Sequence, residues 1–192
     1  MGVEFELKFA ANGQVLSEIA GMLGKEGQLF QMQTTYYDTP SGALSARRYT
    51  LRLRRENQRA VCTLKTPGTG AFRGEWEVEC SEITQSIDKL CKLGAPEELP
   101  QLAQEGLTPV CGAAFTRRAI GVALADAQVE VALDSGVLTG GSREEPFWEV
   151  EVELKSGSAA AAQAYACQLA ADFGLTEEKK SKFRRALDLA KK

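Results

Sequence analysis

The feature that most restricts this chain is a strict two-residue alternation of charged and apolar side chains in several widely separated segments. In VEFELKF, Glu4, Glu6 and Lys8 alternate with Val3, Phe5, Leu7 and Phe9; in WEVEVEL, Glu149, Glu151 and Glu153 alternate with Val150, Val152 and Leu154. In TLRLRRE, Arg52 and Arg54 stand opposite Leu51 and Leu53, and in VCTLKT, Lys65 shares a face with Thr63 and Val61. Period two is the period of a β-strand, so each segment carries one charged face and one apolar face. An open sheet with its polar side in water gives such a pattern, but solvated sheets usually mix the two signs, and here single-sign rows recur. The apolar rows need cover, which helices can supply from outside. A sheet closed into a barrel would then have a charged, wet interior, and such an interior requires a highly charged guest because unpaired buried charge is costly.

The signs suggest what that guest is. A nest of carboxylates suits divalent cations, and a cluster of lysine and arginine suits an anion with several negative oxygens; a metal-bound polyphosphate satisfies both. The chain has no histidine, which excludes Ser-His-Asp and Cys-His catalysis and histidine-ligated metal sites, so a metal would be held by oxygen, favouring Mg²⁺ or Mn²⁺. No GxxxxGK[ST] or GxGxxG loop offers backbone amides to a phosphate, leaving side chains to bind it. The net charge of −3 argues against a long nucleic-acid partner held by bulk charge. The five cysteines are widely spaced and lack a CxxC pair, as expected of small apolar residues in a reducing compartment. With no apolar run of membrane-spanning length and an acidic start unlike a signal peptide, the expected location is cytoplasmic, away from the membrane.

Along the chain, residues 12–24 read as a helix with Asn12 as N-cap, and residues 28–39 as a long strand ending before Pro40. Residues 50–56 and 59–67 form a hairpin across Asn57-Gln58, and residues 73–80 a further strand. Residues 81–109 suggest two short helices crossing to a second strand group, FTRRAIGVAL, QVEVALDSGVL and PFWEVEVELKSG. The chain closes helically through residues 158–174 and through TEEKKSKFRRALDLAKK. Without a repeat or low-complexity linker, the expectation is one domain over residues 1–192, α+β but mainly β, with about eight strands and peripheral helices.

EFELK resembles the N-terminal ExExK signature of the CYTH superfamily, the triphosphate tunnel metalloenzymes, which includes bacterial inorganic triphosphatases, thiamine triphosphatases, class IV adenylate cyclases and fungal RNA triphosphatases. The resemblance continues in the family's order through YYDTP, LRLR, the Leu64-Lys65 pair, FTRR, ALD, EVEVE and SKFRRAL. It is nearest to the N-terminal domain of bacterial inorganic triphosphatases, some of which continue into a CHAD domain; no CHAD segment is read here. The resemblance implies an eight-stranded antiparallel β-barrel, the tunnel, with helices packed outside. Glu4, Glu6, Glu149, Glu151 and Glu153 match its metal-binding carboxylates, with Asp134 as a further tunnel acid. Lys8, Arg52, Arg54, Lys65 and Arg117 match its phosphate-binding and catalytic basic set. Lys182 and Arg185 match the last basic positions, on a helix that plugs or lines one mouth. Arg73 and Glu75 fit an R-x-E pattern seen in the family. Arg118 and Arg184 are expected in solvent, Tyr36 and Tyr37 in the core or at its rim, and Glu77 and Glu79 are left open between tunnel and solvent.

The implied activity is metal-dependent hydrolysis of a linear triphosphate, inorganic tripolyphosphate first, releasing phosphate. Two alternatives stay open: a class IV-type adenylate cyclase or nucleoside or thiamine triphosphatase on the same scaffold, and a module that binds polyphosphate or nucleotide without turnover. The residues leave the oligomeric state open.

Overall fold

The computed structural model describes residues 2–24 and 27–191. Eight long strands run antiparallel: β1 (Gly2–Ala10), β2 (Gln28–Asp38), β3 (Thr50–Glu56), β4 (Arg59–Thr66), β5 (Phe72–Glu79), β6 (Thr108–Ala123), β7 (Ala127–Gly140) and β8 (Arg143–Gly157). Their order is β5-β4-β3-β2-β6-β7-β8-β1, and a β5–β1 pairing closes the sheet into a barrel. β1 is shared: Gly2 to Phe5 pair with β5, whereas Glu6 to Ala10 pair with β8.

The apolar rows face outward, as the alternation requires. Phe5, Phe9, Val129, Val131, Val150 and Val152 form one core with helices α1 (Gly13–Leu23) and α5 (Ala159–Phe173), through Leu16, Ile19, Ala162, Ala166 and Leu169. Each large side chain so buried contributes about 1.5–3 kcal/mol. On the far side Leu51, Cys62, Leu64 and Trp76 pack under α3 (Ile83–Lys92) and a one-turn α4 (Leu99–Leu102), joined by Leu44 of the short α2 (Ala43–Ala46). The cap signals hold: Asn12 accepts from the Val15 N–H at 3.0 Å, and Gly24 and Gly174 end α1 and α5 in the left-handed conformation. Asn57 turns the β3–β4 hairpin at φ 55°, a conformation asparagine tolerates.

Two elements were not anticipated. The one-turn α2 is built by Asp38, whose carboxylate accepts from the backbone N–H groups of Thr39 (2.8 Å), Leu44 (2.9 Å) and Ser45 (3.1 Å). The helical expectation for TEEKK fails because Thr176 and Glu177 instead form a short strand, β9, on β1, and the Glu178 N–H donates to the Lys8 carbonyl at 2.8 Å. Tertiary pairing outweighs the local propensity. The last helix, α6 (Lys182–Lys191), starts only after Ser181, whose hydroxyl accepts from the Arg184 N–H at 3.1 Å. α6 closes one end of the barrel, seating Ala186 and Leu189 against Met32, Phe115, Leu138 and Phe147. The five cysteines are all free thiols, and no helix among the described residues is long and apolar enough to cross a membrane.

Candidate functional site

The charged rows face inward. Glu4, Glu6, Lys8, Arg52, Arg54, Lys65, Arg73, Arg117, Glu151, Glu153 and Lys182 line one cavity of about 250 Å³ running through the barrel. Strand register brings them together from distant segments: Lys8 pairs with Glu151 and Glu6 with Glu153 across β1–β8, Glu4 with Arg73 across β1–β5, and Lys65 with Glu75 across β4–β5. Asp134 and Glu149 do not line the cavity; both are fully buried at the α6 end, and Arg185 reaches Glu149 from the helix.

At that end the charges are matched. Arg117 donates to both oxygens of Asp134, at 2.8 and 2.7 Å, and its Nη2 also donates to Glu151. Lys182 Nζ donates to Glu149 and, at 2.6 Å, to Glu151, and lies 2.9 Å from Asp134; Arg185 Nη1 donates to Glu149 at 3.2 Å. Every oxygen of the three carboxylates thus meets a cation, and three cations balance three carboxylates. Burial would raise the Glu151 carboxyl, but Lys182 and Arg117 hold it well below the usual carboxylate range. For Glu149 burial prevails: together with the Glu151 charge it outweighs Lys182 and pushes the carboxyl up to about 7. The Lys182 ammonium, despite its burial, is held well above its ordinary value by Asp134, Glu151 and Glu149.

Beside this cluster Lys8, Arg52 and Arg54 have only long contacts or none, although Arg54, Arg117 and Lys182 all lie within 5.9 Å of the Phe115 ring. Lys8 is 7% exposed, yet its ammonium makes no hydrogen bond or ion pair with a described residue. Arg52 approaches Glu77 only at 3.8 Å and Glu75 at 4.0 Å, and its buried Nε has no acceptor. Arg54 has a long bond to Thr34 (3.3 Å) and a distant Glu56 (3.6 Å); burial, with Arg52 and Arg117 nearby, lowers its guanidinium to about 10, still charged at neutral pH. The remaining acids differ in turn. Lys65 donates to both Glu4 oxygens at 2.6 and 2.7 Å, and Glu153 meets Lys155 at 2.9 Å. The Glu6 carboxylate has no hydrogen bond or ion pair among the described residues, and burial, with Glu151 close by, raises its pKa.

A CYTH domain family model matches residues 2–187. The chain belongs to the CYTH domain family. An inorganic triphosphatase of Haemophilus influenzae is 32% identical over 161 residues, 81% of this chain, and this chain spans about half (46%) of that relative's length. Solved structures with the same fold include a Hippeastrum protein, described as an adenylyl cyclase candidate with a dominant triphosphatase activity, at TM-score 0.68 and 14% identity, covering 98% of this chain and 96% of that one. The PH1819 protein of Pyrococcus horikoshii aligns at TM-score 0.65 and 22% identity, covering 97% of this chain and 99% of that one.

Within this CYTH barrel the carboxylates differ in their capacity for a metal. Asp134, Glu149 and Glu151 bring oxygens within 4.8 Å of one another, but those oxygens already accept from Arg117, Lys182 and Arg185. The unneutralised Glu6, opposite Glu153 and beside Glu4 and Glu151 in the cavity wall, fits a divalent cation better. Sequence reasoning missed two lining acids, Glu56 and Glu130. Both lie on the two-residue period it used, Glu56 with Arg52 and Arg54, and Glu130 with Ala132 and Asp134. Of the acids left open, Glu77 joins the lining and accepts from Thr63 at 2.9 Å, whereas Glu79 is exposed and meets Arg59. Tyr36 is buried, its ring 5.1 Å from that of Phe183. Arg184 is exposed, and Arg118 is half-buried on the outer face.

Proposed function

We infer that this chain hydrolyses the terminal phosphoanhydride of a linear triphosphate, inorganic tripolyphosphate above others. The observation that carries the reading is the set of buried, under-partnered cations Lys8, Arg52 and Arg54 in a closed barrel. Such groups are costly unless an anion with many oxygens completes them. Lys65, Arg73 and Arg117 extend the cationic lining, while Lys182 and Arg185 orient it from α6. Bound at the unneutralised Glu6 beside Glu153, Mg²⁺ or Mn²⁺ would neutralise phosphate charge and help activate water. Asp134 and Glu149 serve in this reading as the fixed counter-charges of Arg117 and Lys182. Water attacks the terminal phosphorus, the bridging P–O bond breaks, and orthophosphate and pyrophosphate leave; the cationic row stabilises the charge on the transferred group and on the departing oxygen.

The direct test incubates the protein with tripolyphosphate and Mg²⁺ or Mn²⁺ from neutral to alkaline pH and measures orthophosphate, with ATP and thiamine triphosphate as competitors. Metal-dependent release from tripolyphosphate is expected. No release with either ion would overturn hydrolysis, and cyclic AMP with pyrophosphate from ATP would assign a cyclase instead.

A further inference from the structure

A second cavity, of about 340 Å³, opens onto the tunnel mouth beside α6. It shares Thr50, Lys65, Arg73, Ser181 and Phe183 with the tunnel lining, so the two spaces adjoin across these residues. Its charge differs from that of the tunnel: Arg48, Lys65, Arg73, Lys179, Lys180 and Arg184 line it, and no aspartate or glutamate does among the described residues. Three of these cations have acidic partners outside the cavity lining or deeper in the tunnel: Lys180 and Arg184 share Asp188, and Lys65 is held by Glu4. Arg48, Arg73 and Lys179 form no ion pair with a described residue. Arg48 also holds φ 59°, in the left-handed region where glycine is the inexpensive choice at the end of a helix.

We propose that this chamber holds the distal phosphates of linear polyphosphates longer than tripolyphosphate, whose reacting end lies among Lys8, Arg52 and Arg54. The inference rests on the triphosphate reading of the tunnel and adds a longer chain to its ligands. A lining of six cations, three of them without an ion pair among the described residues, adjoining the tunnel, suits a phosphate chain that carries charge on every unit. A nucleoside suits it less. Of the aromatic lining, Phe183 packs against Tyr36 at 5.1 Å and the Tyr49 hydroxyl donates to Glu98 at 2.8 Å, which leaves the exposed Phe72, itself 5.0 Å from Phe5, as its one open ring among the described residues. Among the described residues no lining carboxylate is present to accept from base amino groups or ribose hydroxyls.

The test is calorimetric binding to the metal-free protein, which separates capture from turnover, using tripolyphosphate, a longer linear polyphosphate and ATP. The wild type is compared with an Arg48→Asn, Lys179→Gln, Arg184→Gln variant, whose changes are all at exposed positions. The longer chain is expected to bind the wild type about tenfold more tightly than tripolyphosphate, and the variant to lose that gain while keeping its tripolyphosphate affinity and phosphate release. Tighter binding that comes only from the longer chain's extra registers would persist in the variant, and that persistence overturns the proposal. Equal wild-type affinities for the two chains overturn it too, as does a variant defect confined to ATP, which would make the chamber a nucleoside site. If tripolyphosphate does not bind but the longer chain binds in a variant-sensitive way, the triphosphate reading fails and the chamber stands.

Discussion

Two groups of buried or half-buried cations share this barrel and differ in one respect. Arg117, Lys182 and Arg185 lie against Asp134, Glu149 and Glu151 in a network whose oxygens are all engaged. Lys8, Arg52 and Arg54, just as buried, have only long contacts or none. The first group is complete in the protein alone and holds α6 in place. The second is left without close counter-ions, as the proposed anion site requires. Residue type therefore does not tell a self-sufficient ionic network from an unmatched one; the state of the partners does.

Removing a cation from each group tests the difference most sharply. Lys182→Met keeps much of the side-chain stem but leaves three buried carboxylates one cation short, so it should cost about 3–5 kcal/mol of stability, seen as a lowered midpoint in urea unfolding. Adding Glu149→Gln should restore part of that loss. A Lys182→Met protein as stable as wild type would mean that the network does not hold the fold together. Arg54→Ala should behave oppositely. It relieves repulsion with Arg52 and Arg117, so the unfolding midpoint should stay level or rise. Its kcat/KM for tripolyphosphate should nevertheless fall by about 10- to 150-fold, the equivalent of one charge-assisted contact. Equal losses of stability in the two variants would erase the distinction.

The smallest effect separates the two carboxylates inside the matched cluster. The folded Glu149 carboxyl titrates near 7, above its ordinary 4.5, so the folded protein binds more protons than the unfolded chain between those values. Stability from this site is full below pH 4.5 and declines as pH rises towards 7. The Glu151 carboxyl, held low by Lys182 and Arg117, gives the opposite trend and loses its contribution only in acid. With chelator present, Glu149→Gln should therefore flatten the fall in stability between pH 4.5 and 7 by about 1–2 kcal/mol. An unchanged pH profile would place the titrating proton elsewhere.

The alternation of Glu4, Glu6 and Lys8 with Phe5, Leu7 and Phe9 was enough to infer strands, a charged interior and an outer coat of helices, because period and sign are local properties. The hairpin at Asn57 and the cap at Asn12 were legible for the same reason. The division between matched and unmatched cations was not, since it depends on register across β6, β7 and β8, where Arg117 meets Asp134 and Asp134 meets Glu149. The chamber was equally hidden: Arg48 and Lys179 come from opposite halves of the chain and have no pattern in common. In TEEKK the local signal was present and misleading, because the edge of β1 recruits Thr176 and Glu177.

The divided loyalty of β1 has a kinetic consequence. Its first half needs β5, but its second half needs β8, which ends at Gly157. Contacts so distant along the chain form slowly and late. At the roughly 5–20 residues per second of protein synthesis, the first strand waits on the order of ten seconds for its second neighbour. Through that interval Glu6 and Lys8 face water on a nascent chain, and β2 to β5 can assemble as a curled half-sheet without them. The charged lumen is therefore among the last features of the molecule to exist, and a newborn chain cannot enclose it before β8 has been made.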